Sequence, residues 1–205
     1  MVTFWGNYEG ISQHEVSFLS TQQIHDQCLA TTQKAIESLG WTNISVGVLS
    51  DEERRQLEDA SLQSHLDWRW AMQTYRGDAV DGILDITLKL IDRDEPEQLH
   101  AVIICKYDWR REQFSICMLE NFISDEDTDL TGNVLIIALI YATTFCQIAE
   151  LDDVYIQDPT EDAQPRYRSY GFAQVWHDHS KMSADVHDIL DTIRRKVNGI
   201  DPVEE

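Results

Sequence analysis

Three alternating runs followed by one helix that is apolar on nearly every side constrain this chain most. From Ile83 to Ile91, Leu84, Ile86, Leu88 and Leu90 share one face while Asp85, Thr87 and Lys89 share the other. That period of two is the mark of a strand. Asp92 to Glu97, with Pro96, reads as a turn, Leu99 to Tyr107 as a second strand, Asp108 to Arg111 as a second turn and Gln113 to Ile123 as a third strand. The three form an antiparallel meander. Leu130 to Glu150 then reads as a helix without a polar face, which requires burial on more than one side. Val154 to Gln157 is a further strand, Glu161 to Tyr170 a short helix and Phe172 to Trp176 a last strand.

The flanks are helical. Residues 1–19 mix aromatic and polar groups without a period. Ser20 and Gln23 have capping-box spacing, and Gly40 stops the helix they open. Ile44 to Leu49 reads as a short strand. Ser50 and Glu53 form a second capping box, opening a charged helix to about residue 64. His65 to Tyr75 reads as helix, ended by Gly77-Asp78. Residues 183–198 form an amphipathic helix on the stripe Val186, Ile189, Leu190, Ile193 and Val197, with Asp185 at its start and Arg194, Arg195 and Lys196 at its end, as the helix dipole favours.

At 205 residues, 42% apolar and with six Trp, the chain has material for a real core. The organisation expected is an N-terminal part over 1–65, a core over 66–180, and a C-terminal helix and tail over 181–205. Cys28, Cys105, Cys117 and Cys146 stand alone in apolar settings with no metal-ligand spacing, which fits buried free thiols in a reducing cytoplasm. The longest apolar run, Val134 to Ala142, is half the length of a membrane span, and no secretory signal is visible at the N-terminus. The net charge is -21, with 22 acidic and 9 basic residues between 66 and 180. Such a surface repels nucleic acid and anionic membrane and attracts cations, and at minimum it keeps the chain soluble. Asp125, Asp127 and Asp129 alternate, but Leu130 and Ile136 stand where a calcium loop needs Gly and Glu. His177 and His179 fall on one face of a strand without a third ligand nearby. No metal site is expected. There is no GxSxG, P-loop or basic aromatic surface.

The order meander, helix, strand, helix, strand, together with Leu119-Glu120, Leu130-Thr131-Gly132-Asn133-Val134, Ile156-Gln157-Asp158-Pro159 and Tyr167-Arg168-Ser169-Tyr170-Gly171-Phe172, resembles the GCN5-related N-acetyltransferases. Asp67-Trp68-Arg69 resembles a segment of some bacterial members. The resemblance covers about residues 66–177. It implies an α/β (α+β) fold with a mixed, mostly antiparallel central sheet flanked by helices, and acetyl-CoA as cosubstrate. The family holds the diphosphate at the helix N-terminus that follows the third meander strand, where backbone N–H groups and the dipole favour anions. Carried over, the cofactor contacts are Phe122, Ile123, Ser124, Leu130, Thr131, Gly132, Asn133 and Val134. Glu120 stands in the place of the general base, and Tyr167 in the place of the acid that protonates the leaving thiolate.

This chain departs from the family pattern in the loop. Asp129 replaces a basic or neutral residue, Val134 a small one, and Asp125, Glu126 and Asp127 precede them. Each carboxylate opposes a bound diphosphate by roughly 0.5–1 kcal/mol at an exposed site, which rivals the helix-dipole contribution. Arg166 and Arg168 flank Tyr167, placed either to meet the phosphates or to pair with Glu161 and Asp162. Trp68 and Trp70 read either as core or as the wall of an acceptor pocket. The expected activity is acetyl-CoA-dependent acetylation of an amine on a cationic small molecule or basic protein, with no direct nucleic-acid or membrane binding. The alternative is an inactive acidic protein of the same fold that binds a basic partner or mimics nucleic acid. The apolar stretch near Ile136 and the C-terminal helix leave a homodimer open.

Overall fold

A computed structural model describes residues 21–59, 64, 66–77, 82–123, 128 and 130–199. The expectations for residues 1–19, Ser20, His65, Asp78, Ser124, Asp125, Glu126, Asp127, Asp129 and the C-terminal tail lie outside the described residues.

The elements in chain order are α1 (Thr21–Ser38), β1 (Ile44–Val48), α2 (Asp51–Glu58), α3 (Trp68–Thr74), β2 (Ile83–Asp92), β3 (Ala101–Asp108), β4 (Gln113–Asn121), α4 (Val134–Ile148), β5 (Asp153–Gln157), α5 (Gln164–Arg168), β6 (Ala173–Val175), β7 (Asp178–Asp185) and α6 (Val186–Val197). One seven-stranded sheet runs β1-β2-β3-β4-β5-β7-β6. Every neighbouring pair is antiparallel except β4 and β5. The meander and the mixed, mostly antiparallel sheet stand as the sequence indicates.

Local chemistry sets the ends of these elements. Ser50 Oγ accepts from the Glu53 amide and Glu53 returns a bond to the Ser50 amide, so the capping box of α2 is complete. The helix nevertheless ends at Glu58 instead of about residue 64. Asp67 caps α3 by accepting from the Trp70 amide. Gly77 lies against β2: a Cβ there would fall 2.5 Å from the Asp85 amide nitrogen, so only glycine admits that approach. Asp185 caps α6 through the amides of His187 and Asp188.

The helices cover both faces of the sheet. On one, α4 packs with α1, α6 and the sheet residues Ile86, Leu88, Leu90, Ile103, Phe114 and Ile116. Every α4 residue from Val134 to Cys146 is buried, which explains the absent polar face. On the other, α2 and α3 bring Leu57, Trp68, Ala71, Met72 and Tyr75 onto Val102, Ile104 and Cys117. All four cysteines are buried and free, and burial pushes the Cys28 and Cys117 thiols up to about 12. No helix among the described residues is long and apolar enough to cross a membrane.

Two features differ from the sequence reading. The strand β7 inserts between β5 and β6, so the last helix begins at Val186, not at 183. Within β7 only Met182 and Ala184 are buried, too few to advertise a strand. His177 lies in the β6–β7 turn and His179 at the start of β7, both exposed. Among the described residues no group of three or more His, Cys, Asp or Glu side chains is arranged for a metal.

The second difference is a bulge in β4. Ile104 pairs with Met118 and Cys105 with Ile116, which leaves Cys117 as the extra residue. One inserted residue exchanges the faces of everything beyond it. Phe114 and Ile116 face α4, and an unbroken alternation would send Glu120 the same way. Beyond the bulge, Leu119 packs on the α4 side instead, and Glu120 meets α3.

Candidate functional site

The site is built where β4 and β5 part. These parallel strands pair at Phe114–Val154, Ser115–Tyr155 and Ile116–Ile156 and then separate, while β4 continues to Asn121. The divergence opens a gap in the sheet between two faces of different chemistry.

Glu120 borders the gap on the α3 face. Its side chain is buried, and its Oε2 accepts from the Trp68 indole Nε1–H at 2.6 Å and from the Ser64 hydroxyl at 2.6 Å. Two hydrogen bonds to one oxygen fix the position of the carboxylate. A cavity of about 410 Å³ lies beside this group, lined by Glu58, Ser64, Leu66, Asp67, Trp68 and Arg69 among others. The two tryptophans differ in exposure. Trp68 is 2% exposed and is both core and hydrogen-bond donor; Trp70 is 50% exposed and stands edge-on to Tyr75 at 5.5 Å. Phe122 stacks on Trp68 at 5.9 Å, and its amide donates to the His100 carbonyl. Ile123 turns into the core on the α4 side.

Tyr167 belongs to the opposite face. It packs on the α4-side core and meets the Phe172 ring edge-on at 6.2 Å. Burial raises its pKa, against a smaller opposing pull from Arg166, so its hydroxyl stays protonated at neutral pH. Glu120 and Tyr167 are therefore not neighbours on one surface; only the gap is common to both faces.

The loop before α4 is held by its own atoms. The Thr131 amide donates to the Thr128 carbonyl at 3.0 Å, the Asn133 amide to the Leu130 carbonyl at 3.0 Å, and the Thr131 hydroxyl lies 3.5 Å from that of Thr128. Gly132 has φ +80 with nothing within 4 Å of a virtual Cβ, so the conformation and not space calls for glycine. Leu130 and Val134 bury their side chains, which leaves only their backbone to face a ligand. Asn133 stands at the N-cap of α4 with no side-chain capping hydrogen bond to the helix, and the first-turn N–H groups of a helix have no carbonyl within it. Above this turn, the Arg166 guanidinium donates to the Gly132 carbonyl at 2.6 Å. It thus brings a cation to the Gly132 turn, while Arg168 bonds to Gln164.

A second polar group at the gap is not legible in the sequence. Tyr75, buried at the end of α3, donates its hydroxyl to Asp158 Oδ2 at 3.3 Å, across 83 residues of chain. Asp158 has a φ of +49, in the left-handed region. Spacing announces neither feature.

No protein-family model matches the sequence, and no curated protein matches it closely enough to count as a relative. Solved structures do match. AtaTR bound with acetyl-CoA is similar at 12% identity and a TM-score of 0.52, over 72% of this chain and 96% of that one. An uncharacterized protein (bh2621) from Bacillus halodurans is similar at 10% identity and a TM-score of 0.51, over 77% and 92%. A spermidine N-acetyltransferase chimera built from Vibrio cholerae SpeG and hSSAT aligns at 11% identity and a TM-score of 0.48, over 73% and 99%. With the meander, the parted β4 and β5 and the glycine turn leading into α4, the likeness to the first two structures settles the architecture: the chain has the fold of the GCN5-related N-acetyltransferases.

Proposed function

We propose that the protein transfers an acetyl group from acetyl-CoA to an amine of a cationic acceptor. The observation that carries this reading is the end of β4–β5 pairing at Ile116 and Ile156, with the buried Glu120 carboxylate beyond it on the α3 face. The diphosphate sits on the backbone of Leu130, Thr131, Gly132, Asn133 and Val134, and Arg166 supplies the positive charge that the loop's side chains lack. The pantetheine arm passes Phe122, Ile123 and Ser124 and places the thioester in the gap. An amine arriving from the α3 face loses a proton to Glu120 and attacks the thioester carbon. The departing CoA thiolate takes a proton from Tyr167 on the other side. A base and an acid on opposite faces suit this reaction, because the nucleophile enters and the leaving group departs at different sides of one carbonyl. The net charge of -21 favours a cationic acceptor, either a small amine or a basic protein.

The test follows release of free CoA with a thiol reagent as small amines and a basic protein are added. Glu120→Gln is expected to lower the amine-dependent rate by ~10²–10⁴-fold and Tyr167→Phe by a smaller factor, with acetyl-CoA affinity retained in both. A Glu120→Gln rate equal to wild type would remove Glu120 from the mechanism. The same charge also motivates a second reading, an inactive acidic protein that captures a basic partner. Salt-sensitive capture of a basic protein unaltered by both substitutions, with no CoA released, favours it.

A further inference from the structure

We propose that Asp158, held by Tyr75 at the mouth of the gap, is the carboxylate that binds the cationic nitrogen of the acceptor. The inference rests on the transferase reading and specifies its acceptor site. Asp158 is the second residue beyond the last β4–β5 pair, Ile116 with Ile156, and so stands where the sheet opens. Its amide donates to the Ser180 carbonyl at 2.7 Å, which keeps the chain on β7 as it leaves β4. The left-handed φ of +49 is a conformation that non-glycine residues rarely adopt, and it turns the side chain of an exposed residue toward α3.

The carboxylate is held but not neutralised. Oδ2 accepts from the Tyr75 hydroxyl at 3.3 Å and from Gln157 Nε2 at 3.0 Å, and both donors are uncharged. Lys181, which pairs with Gln157 across β5 and β7, is engaged by Asp178 and Gln113. Among the described residues no salt bridge reaches Asp158. Tyr75 comes from the α3 face and is 6% exposed, so its ring bridges from the core over Cys117 to the end of β5. Burial and the Asp158 charge both raise the Tyr75 pKa, which keeps its hydroxyl a donor. The half-exposed Trp70 ring stands edge-on to Tyr75. An uncompensated carboxylate beside aromatic rings is a receptor for an alkylammonium group. Glu120, by contrast, is closed on Trp68 and Ser64. The two carboxylates therefore divide the work: Asp158 holds the cation and Glu120 takes the proton.

Calorimetric titration at about 0.15 M salt, which screens diffuse attraction, tests this with spermidine as the probe cation. Wild type, Asp158→Asn, Tyr75→Phe and a control, Asp94→Asn in the β2–β3 turn, are compared, and acetyl-CoA is titrated separately into each. Asp158→Asn is expected to weaken spermidine roughly tenfold or more and Tyr75→Phe about threefold, with acetyl-CoA affinity unchanged. Asp94→Asn should match wild type. Spermidine binding that is equal in Asp158→Asn and wild type, that falls equally in Asp94→Asn, or that is absent from a wild type that binds acetyl-CoA, overturns the site. Spermidine binding that depends on Asp158 in a protein that does not bind acetyl-CoA would support the cation site and remove the transferase reading.

Discussion

The face of the sheet under α4 and the face under α3 are packed from different materials. Under α4, aliphatic and aromatic side chains from three helices close on the strands, and the buried polar groups bond within the protein, except that the Thr32 hydroxyl has no hydrogen-bond partner among the described residues. Thr143 and Thr144 bond back to carbonyls of their own helix, and Tyr141 Oη lies 2.6 Å from His25 Nδ1. Under α3, a smaller core surrounds a buried carboxylate, that of Glu120, bonded to an indole and a hydroxyl. The bulge at Cys117 separates the two, because it directs Leu119 to the first face and Glu120 to the second. The larger core lies on one side and the buried Glu120 carboxylate on the other, and the gap between β4 and β5 connects them.

That division makes substitutions on the two faces act differently. Leu139→Ala, at a fully buried position of α4, is expected to cost ~2–5 kcal/mol of folding stability, read from the urea midpoint. The folded fraction should keep its acetyl-CoA affinity; a selective loss of affinity without a stability change would break the comparison. Trp68→Phe preserves an aromatic ring but removes a donor from Glu120. Its expected stability cost is smaller, about 1–3 kcal/mol, with a fall in the amine-dependent rate that acetyl-CoA binding does not share. A rate equal to wild type would mean that the indole does not position the carboxylate.

The smallest expected effect is a pH dependence, whose acid limb comes from the α4 face. Burial lowers the His25 pKa below its usual 6.5, with a weaker opposing influence from Asp26. Burial also raises the Tyr141 pKa above its usual 10.0. A histidine kept neutral in the folded state contributes stability above pH 6.5 that is lost as the pH falls, because the unfolded chain takes up the proton first. A tyrosine kept neutral contributes stability below pH 10.0 that is lost as the pH rises, because the unfolded chain ionises first. Thermal melting should show a plateau from pH 6.5 to about 9, above which the unfolded chain ionises cysteines that burial keeps protonated in the fold, and His25→Gln should flatten the decline just below pH 6.5. An identical decline in that variant would assign it elsewhere.

Much of the architecture is legible in the sequence because it is written locally. The period of Ile83 to Ile91, the capping box of Ser50 and Glu53, and the unbroken apolar run of α4 each need only a few neighbouring residues. The misses have physical causes. The strand β7 is polar along most of its length, so its sequence reads as loop and helix start. The bulge falls in Phe114-Ser115-Ile116-Cys117-Met118-Leu119, where apolar residues occupy both parities and no break in the pattern marks the inserted residue. Glu120 and Tyr167 were recognisable by their place in a family-like order, yet the face each one occupies depends on the bulge and on α5 packing. Arg166 over Gly132 and Tyr75 on Asp158 are tertiary contacts between distant segments, and no local spacing encodes them.

The central claim is that the gap between β4 and β5 and the turn at Gly132 receive acetyl-CoA despite the acidic loop. Calorimetric titration of acetyl-CoA into the full chain tests it most directly, with Arg166→Ala as the paired variant. The account predicts one site in the wild type and roughly tenfold weaker binding in the variant, as loss of a charge-assisted contact implies. A folded wild type that takes up no acetyl-CoA at about millimolar concentration, the weak end of specific binding, would contradict it.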